Sequence, residues 1–155
     1  MLFESEIDEF EDEAPTSPGL REPRARVLVV EDDEDLREVI VARMRREAFD
    51  VLEAGSGDEA LEVLSLVARG AMADEIDLLV MDVRMPGTSG LEIARMVRAA
   101  HWTLPVLLIT AFPDREVVAE AARLKLSLLA KPFGLDRLSD AAISAILRPQ
   151  SKGLV

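Results

Sequence analysis

Between Arg24 and Leu147, short apolar runs alternate five times with segments of helical period, and few folds accommodate that rhythm. Val27-Leu-Val-Val30 starts it. A helical pattern follows from about Glu34 to Glu47, with Leu36, Ile40 and Met44 on one face and Arg43, Arg45 and Arg46 near its end, where cations suit the helix dipole. Phe49 to Ala54 reads as a second strand and Asp58 to Ala68 as a second helix, with Leu61, Leu64 and Ala68 turned inward. The third strand is the run Ile76 to Met81, and Gly90 to Ala100 is its helix. Pro105 to Thr110, Pro113 to Leu124, Leu126 to Ala130 and Leu135 to Leu147 complete the last two pairs. Right-handed crossovers bring each strand back parallel to the one before, so the expected fold is α/β: a five-stranded parallel, doubly wound sheet with helices on both faces. A length of 155 residues, 49% of them apolar, suits one such domain.

The ends of the chain read differently. Residues 1–23 hold eight acids against the single base Arg21, with Pro15, Pro18, Gly19 and Pro23 among them, so an acidic, disordered leader is expected there. Leu2, Phe3, Ile7 and Phe10, spaced between those acids, could dock the leader on a basic surface, against the plainer reading of an inert solubilising segment. Residues 148–155 are expected to be a short tail. The absence of cysteine removes any disulfide framework and is compatible with a reducing compartment. No stretch has the features of a signal peptide or the roughly 18 apolar residues of a membrane span. A cytoplasmic protein that does not contact membrane is therefore expected. The net charge of -12 argues against direct nucleic-acid binding, since no broad basic face is available to displace counterions from phosphates.

Chemistry is expected where the strands end. In parallel α/β sheets, reactive groups gather at the carboxyl ends of the strands. The third strand runs into Asp82 before Pro86-Gly87 breaks the chain, and taken alone this acid reads as a solvated loop residue. The first strand, however, ends in Glu31-Asp32-Asp33. Acids favour a helix N-terminus, which accounts for Asp33, Glu34 and Asp35 better than for the two residues directly after a buried strand. Clustered carboxylates persist when a divalent cation lies between them, and an oxygen-only set suits Mg²⁺. The fourth strand delivers Thr110 and the fifth delivers Lys131-Pro132. A nucleophile, a metal site and two donors at one rim are the components of phosphoryl transfer.

With these residues in view, the chain from roughly Arg24 to Leu147 resembles the receiver domains of two-component response regulators. The resemblance is carried by Val27-Leu-Val-Val-Glu-Asp, Leu79-Val-Met-Asp82-Val-Arg-Met-Pro-Gly87, Leu108-Ile-Thr110-Ala111 and Lys131-Pro-Phe133. It implies a flavodoxin-like fold with strand order 2-1-3-4-5 and a phosphoacceptor at Asp82, which takes a phosphoryl group from a sensor histidine kinase or phosphotransfer protein. It also implies Mg²⁺ held by Glu31, Asp32, Asp82 and the main-chain carbonyl of Arg84, with Thr110 and Lys131 contacting phosphoryl oxygens. The function expected is a stand-alone signalling switch rather than an enzyme, acting on a downstream protein.

The chain departs from the family's pattern where the signal would leave the site. Three residues before the lysine the family usually carries a Tyr or Phe that turns inward, and here Leu128 stands in that place. The Gly-Ala pair expected before the fifth strand is Lys125-Leu126. Leu124, Leu126 and Leu128 are either core residues or an exposed patch that would favour a protein partner or a homodimer. Arg69 to Asp74 lengthens the approach to the third strand, and Arg84 and Phe112 occupy positions that tune dephosphorylation in the family. A constitutive binding or scaffold module that keeps the fold without phosphorylation-driven switching is the alternative. Two rivals fit less well. Gly55-Ser-Gly57 imitates a dinucleotide fingerprint, but Asp58 and Glu59 would face the pyrophosphate, and a helix cap at Ser56 or Gly57 suffices. An aspartyl phosphatase would need a second acid where Arg84 stands. His101-Trp102 is assigned no role.

Overall fold

The computed structural model describes residues 24–70 and 75–148. The acidic leader, nearly all of the C-terminal tail and most of the Arg69 to Asp74 approach lie outside the described residues. Five strands, β1 (Arg26–Val30), β2 (Asp50–Ala54), β3 (Leu78–Asp82), β4 (Val106–Thr110) and β5 (Ser127–Ala130), form one parallel sheet in the order β2-β1-β3-β4-β5. Five helices alternate with them: α1 (Glu34–Arg46), α2 (Gly57–Ala68), α3 (Gly90–Ala99), α4 (Arg115–Leu124) and α5 (Leu135–Leu147). This is the doubly wound sheet expected from the alternation, in the strand order that the family resemblance implies.

The two-residue period of each strand divides the core into two layers. Val27, Val29, Leu78, Val80, Leu107, Ile109 and Leu129 pack against Ile40 and Met44 of α1 and Leu138 and Ala142 of α5. Leu28, Val30, Leu79, Met81, Val106 and Leu108 face α2, α3 and α4 on the other side. Strands covered on both faces carry no polar alternation, which is why they read as continuous apolar runs.

Local chemistry shifts several boundaries. Strand β3 starts at Leu78 rather than Ile76, because the Asp77 carboxylate accepts the Arg26 amide at 2.8 Å and Asp77 donates its own amide to the Arg26 carbonyl. The same strand runs on through Asp82, which pairs with Ile109. Asp114 caps α4 by accepting the Val117 amide, so that helix begins at Arg115 rather than Pro113. Ser56 caps α2, with its hydroxyl accepting the Glu59 amide at 3.1 Å. Ala68, expected inward, is exposed; Val67 packs against the core in its stead, completing the i+3 step from Leu64. Leu124 and Leu126 are buried and Leu128 is half-buried against the α2–α4 layer, so these leucines are core rather than an exposed patch. No helix among the described residues is long and apolar enough to cross a membrane.

Candidate functional site

Order β1-β3-β4-β5 brings four strand ends to one rim. β1 and β3 are neighbours in register, Val30 opposite Met81, so Glu31 and Asp32 emerge beside Asp82. Thr110 ends β4 opposite Ala130, and Lys131 follows at once. Each acid of the trio Glu31, Asp32 and Asp82 offers an oxygen within 4.8 Å of the others. Lys131 closes the group: its Nζ lies 2.5 Å from Asp82 Oδ2 and 3.5 Å from Glu31 Oε1. Glu31, Asp32, Asp82 and Lys131 therefore meet at one rim, with Thr110 at the end of the neighbouring strand and Arg84 two positions beyond Asp82.

Burial makes this cluster expensive. Glu31 is 2% exposed and Asp82 5%, whereas Asp32 reaches solvent. Backbone amides answer part of the charge: Asp33 N donates to Glu31 Oε2 at 3.1 Å and Arg84 N to Asp82 Oδ1 at 2.9 Å. Glu31 Oε1 is buried without a hydrogen-bond partner. Burial pushes the Glu31 carboxyl up to about 7, the Asp82 charge adds to that rise, and the Asp33 amide opposes it. For Lys131 burial works downward, but the hydrogen bond and charge of Asp82, followed by Glu31, outweigh it and raise the ammonium above its ordinary range. When all three are ionised, the carboxylates outweigh the one ammonium by two charges, and the buried Glu31 Oε1 without a hydrogen-bond partner is an oxygen that a cation could use. An oxygen-only set of this charge, part of it open to water, fits Mg²⁺.

The surrounding chain fixes these groups from behind. A side-chain carbon at Gly90 would fall 2.2 Å from the Asp82 carbonyl oxygen, so only glycine lets α3 approach β3 this closely. Gly90 N donates to the Val83 carbonyl, tying both ends of the β3–α3 loop together. Thr88 in that loop donates to Asp58 Oδ1 at 2.9 Å, and a carbon at Gly57 would collide with the Thr88 carbonyl, so the start of α2 braces the loop as well. Nothing in the sequence spacing marks Asp58 and Thr88 as partners.

Thr110 is 1% exposed, and its Oγ accepts the Phe112 amide at 3.0 Å, which leaves the hydroxyl proton free to donate. Phe112, 64% exposed, lies under the Arg84 guanidinium at 5.8 Å, and Arg84 also reaches Asp114 at 3.6 Å. A cleft of about 570 Å³ opens alongside, between the β3–α3 loop and the start of α4, lined by Met85, Leu91 and Val117 among others. Farther along α3 and α4, Glu120 accepts from both Arg95 and Arg123 at 2.6 Å, and these two hydrogen bonds hold its carboxyl down at about 2. Lys125, at the end of α4, adopts the left-handed conformation with φ 60° that glycine favours.

Residues 27–143 match the family described as the response regulator receiver domain. The chain belongs to that family. The transcriptional regulatory protein PdtaR of Mycobacterium tuberculosis is 32% identical over 136 residues, which is 86% of this chain and 62% of that protein. The sporulation initiation phosphotransferase F of Bacillus subtilis is 26% identical over 117 residues, 75% of this chain and 89% of that one. Among solved structures, the non-phosphorylated HemR receiver domain from Leptospira biflexa aligns with a TM-score of 0.70 at 28% identity, covering 81% of this chain and 98% of that domain. The chain spans 28% to 62% of the length of the first curated relatives it matches. Receiver domains are generally non-catalytic modules of two-component phosphorelays that meet histidine kinases or phosphotransfer proteins and bind Mg²⁺ at an acidic pocket. The trio in this receiver domain could hold such an ion.

Proposed function

We propose that this receiver domain, residues 24–147, is phosphorylated on Asp82 in a Mg²⁺-dependent reaction and signals through protein contacts. The observation that supports it best is the meeting of the acidic trio with Lys131 at one sheet rim. A carboxylate oxygen of Asp82 attacks the phosphorus of a phosphohistidine on a sensor kinase or phosphotransfer protein. The new O–P bond forms as the P–N bond breaks, giving an acyl phosphate and freeing the imidazole. Glu31, Asp32, Asp82 and the Arg84 carbonyl would hold Mg²⁺, which neutralises charge on the transferring group. Lys131, already on Asp82 Oδ2, is placed to follow a phosphoryl oxygen, and Thr110 to donate its free hydroxyl proton to another. We place the protein in the cytoplasm, where such kinases present their phosphohistidines.

The second reading, a constitutive binding module, rests on Leu128. It packs into the α2–α4 layer and has no ring to turn inward when Thr110 moves. One experiment separates the two. Wild type and Asp82→Asn are incubated with Mg²⁺ and a small phosphodonor, or with beryllofluoride, and followed by mass and amide spectra. Labelling lost in the variant, with shifts spreading to α4 and β5, supports the switch. Ion binding without distant shifts supports the module, and an unlabelled wild type sinks the phosphoacceptor assignment.

A further inference from the structure

Asp32 is the exposed member of the trio, and among the described residues its carboxylate accepts no hydrogen bond. Its direction is therefore set by its backbone, beginning with the peptide that joins it to Glu31. That peptide lies just past the end of β1. Glu31 N still donates to the Ala54 carbonyl of β2 at 3.2 Å, but the Glu31 carbonyl has left the strand ladder. Arg37, one turn into α1, folds back and donates from Nη1 to that oxygen at 2.8 Å, while its Nε reaches Glu53 Oε1 at 3.3 Å. The guanidinium lies in a slot that Gly55 keeps open, since a side-chain carbon there would come within 3.0 Å of Nη1. A carbonyl oxygen and the next residue's N and Cα share one rigid plane, so holding the Glu31 oxygen orients the Asp32 Cα.

We propose that Arg37 is a positioning residue that aims the Asp32 carboxylate into the acidic trio and thereby sets its affinity for Mg²⁺. The inference rests on the reading of Glu31, Asp32 and Asp82 as the ion site. The sign of the effect makes it testable. A cation beside a cation site, acting through charge alone, weakens Mg²⁺ binding, so its removal would tighten it. A positioning group does the opposite.

Mg²⁺ is titrated into the full chain and followed by amide spectra. Arg37→Met, which keeps the stem and removes charge and donors, is expected to raise the Kd about tenfold, the scale of lost partners around metal ligands. Arg37→Lys, which keeps the charge and an ammonium able to donate to the Glu31 carbonyl, should recover most of that. Gly55→Ala crowds the slot without altering charge and should weaken binding in the same direction but less. The Asp32 and Asp33 amides should shift in Arg37→Met before any Mg²⁺ is added. Tighter or unchanged binding in Arg37→Met, in a protein whose Asp32→Asn variant loses affinity, overturns the role of Arg37 alone. Asp32→Asn and Asp82→Asn that both bind Mg²⁺ as wild type does overturn the ion site and the inference with it.

Discussion

The rim has two halves, and they are built by different means. On the β1–β3 half, Glu31 and Asp82 are almost fully buried and held by main-chain amides, by a helix seated against the Asp82 carbonyl and by Arg37 behind. On the β4–β5 half, a buried threonine hydroxyl accepts from a local amide, Lys131 keeps a quarter of its side chain in water, and Phe112 stacks on an exposed arginine. The α4 helix beside it is tied to α3 by Arg95, which pairs with Glu120 and Glu116, ion pairs near the surface of the kind worth about 1 kcal/mol or less each. Backbone contacts hold the buried Asp82, while near the rim α4 meets α3 in part through surface pairs of low cost. Rearrangement is therefore expected on the second half.

The contrast can be broken at several points. Removing Lys131 as Lys131→Ala strips from the buried pair the cation that meets both acids, and phosphodonor labelling is expected to slow about a hundredfold, as when one charge-stabilising donor is lost. Gly90→Ala attacks the rigid half directly: its methyl cannot coexist with the Asp82 carbonyl, and urea unfolding should show a loss of about 3 kcal/mol. At the opposite edge of the sheet from the rim, Arg98 donates to the carbonyls of Leu124, Trp102 and Leu104, joining the ends of α3 and α4. Arg98→Met leaves three acceptors wanting and should cost about 2 kcal/mol in the same assay.

A pH series sharpens the comparison. Glu31 is raised from 4.5 to about 7 in the folded chain, so between those values the folded state keeps a proton that the unfolded state releases. Without Mg²⁺, the Glu31 contribution should make stability fall as pH rises from about 4.5 to 7, with no further fall beyond, and Glu31→Gln should remove that slope. Glu120, held near 2, contributes in the opposite sense: its stabilisation is present above about 4.5 and lost as pH falls toward 2. The smallest effect belongs to Lys125→Gly, which relieves the left-handed backbone at the end of α4 and should stabilise by about 1 kcal/mol or less, read as a modest rise in Tm.

The sequence made the rim legible because each buried strand is a nearly unbroken apolar run, and the first polar residue after it marks where the sheet stops. Glu31, Asp82, Thr110 and Lys131 were each visible in that way. Arg37 and Arg98 were not, because an arginine on an amphipathic helix reads as a solvated cation until the fold shows a carbonyl within its reach. Asp58 and Thr88 escaped because they are thirty positions apart, one at the start of α2 and the other in the β3–α3 loop. The leucines around β5 were ambiguous since their spacing suits a core and a patch equally, and only the α4 packing decides between them.

Gly90 carries a consequence for whatever is attached to Asp82. On the reading proposed above, a phosphoryl group there would add volume, and the close approach of the first residue of α3 to the Asp82 carbonyl leaves little room beneath it. The added volume would then be taken up sideways, toward Lys131 and Thr110. A single missing methyl would thus give local crowding a direction.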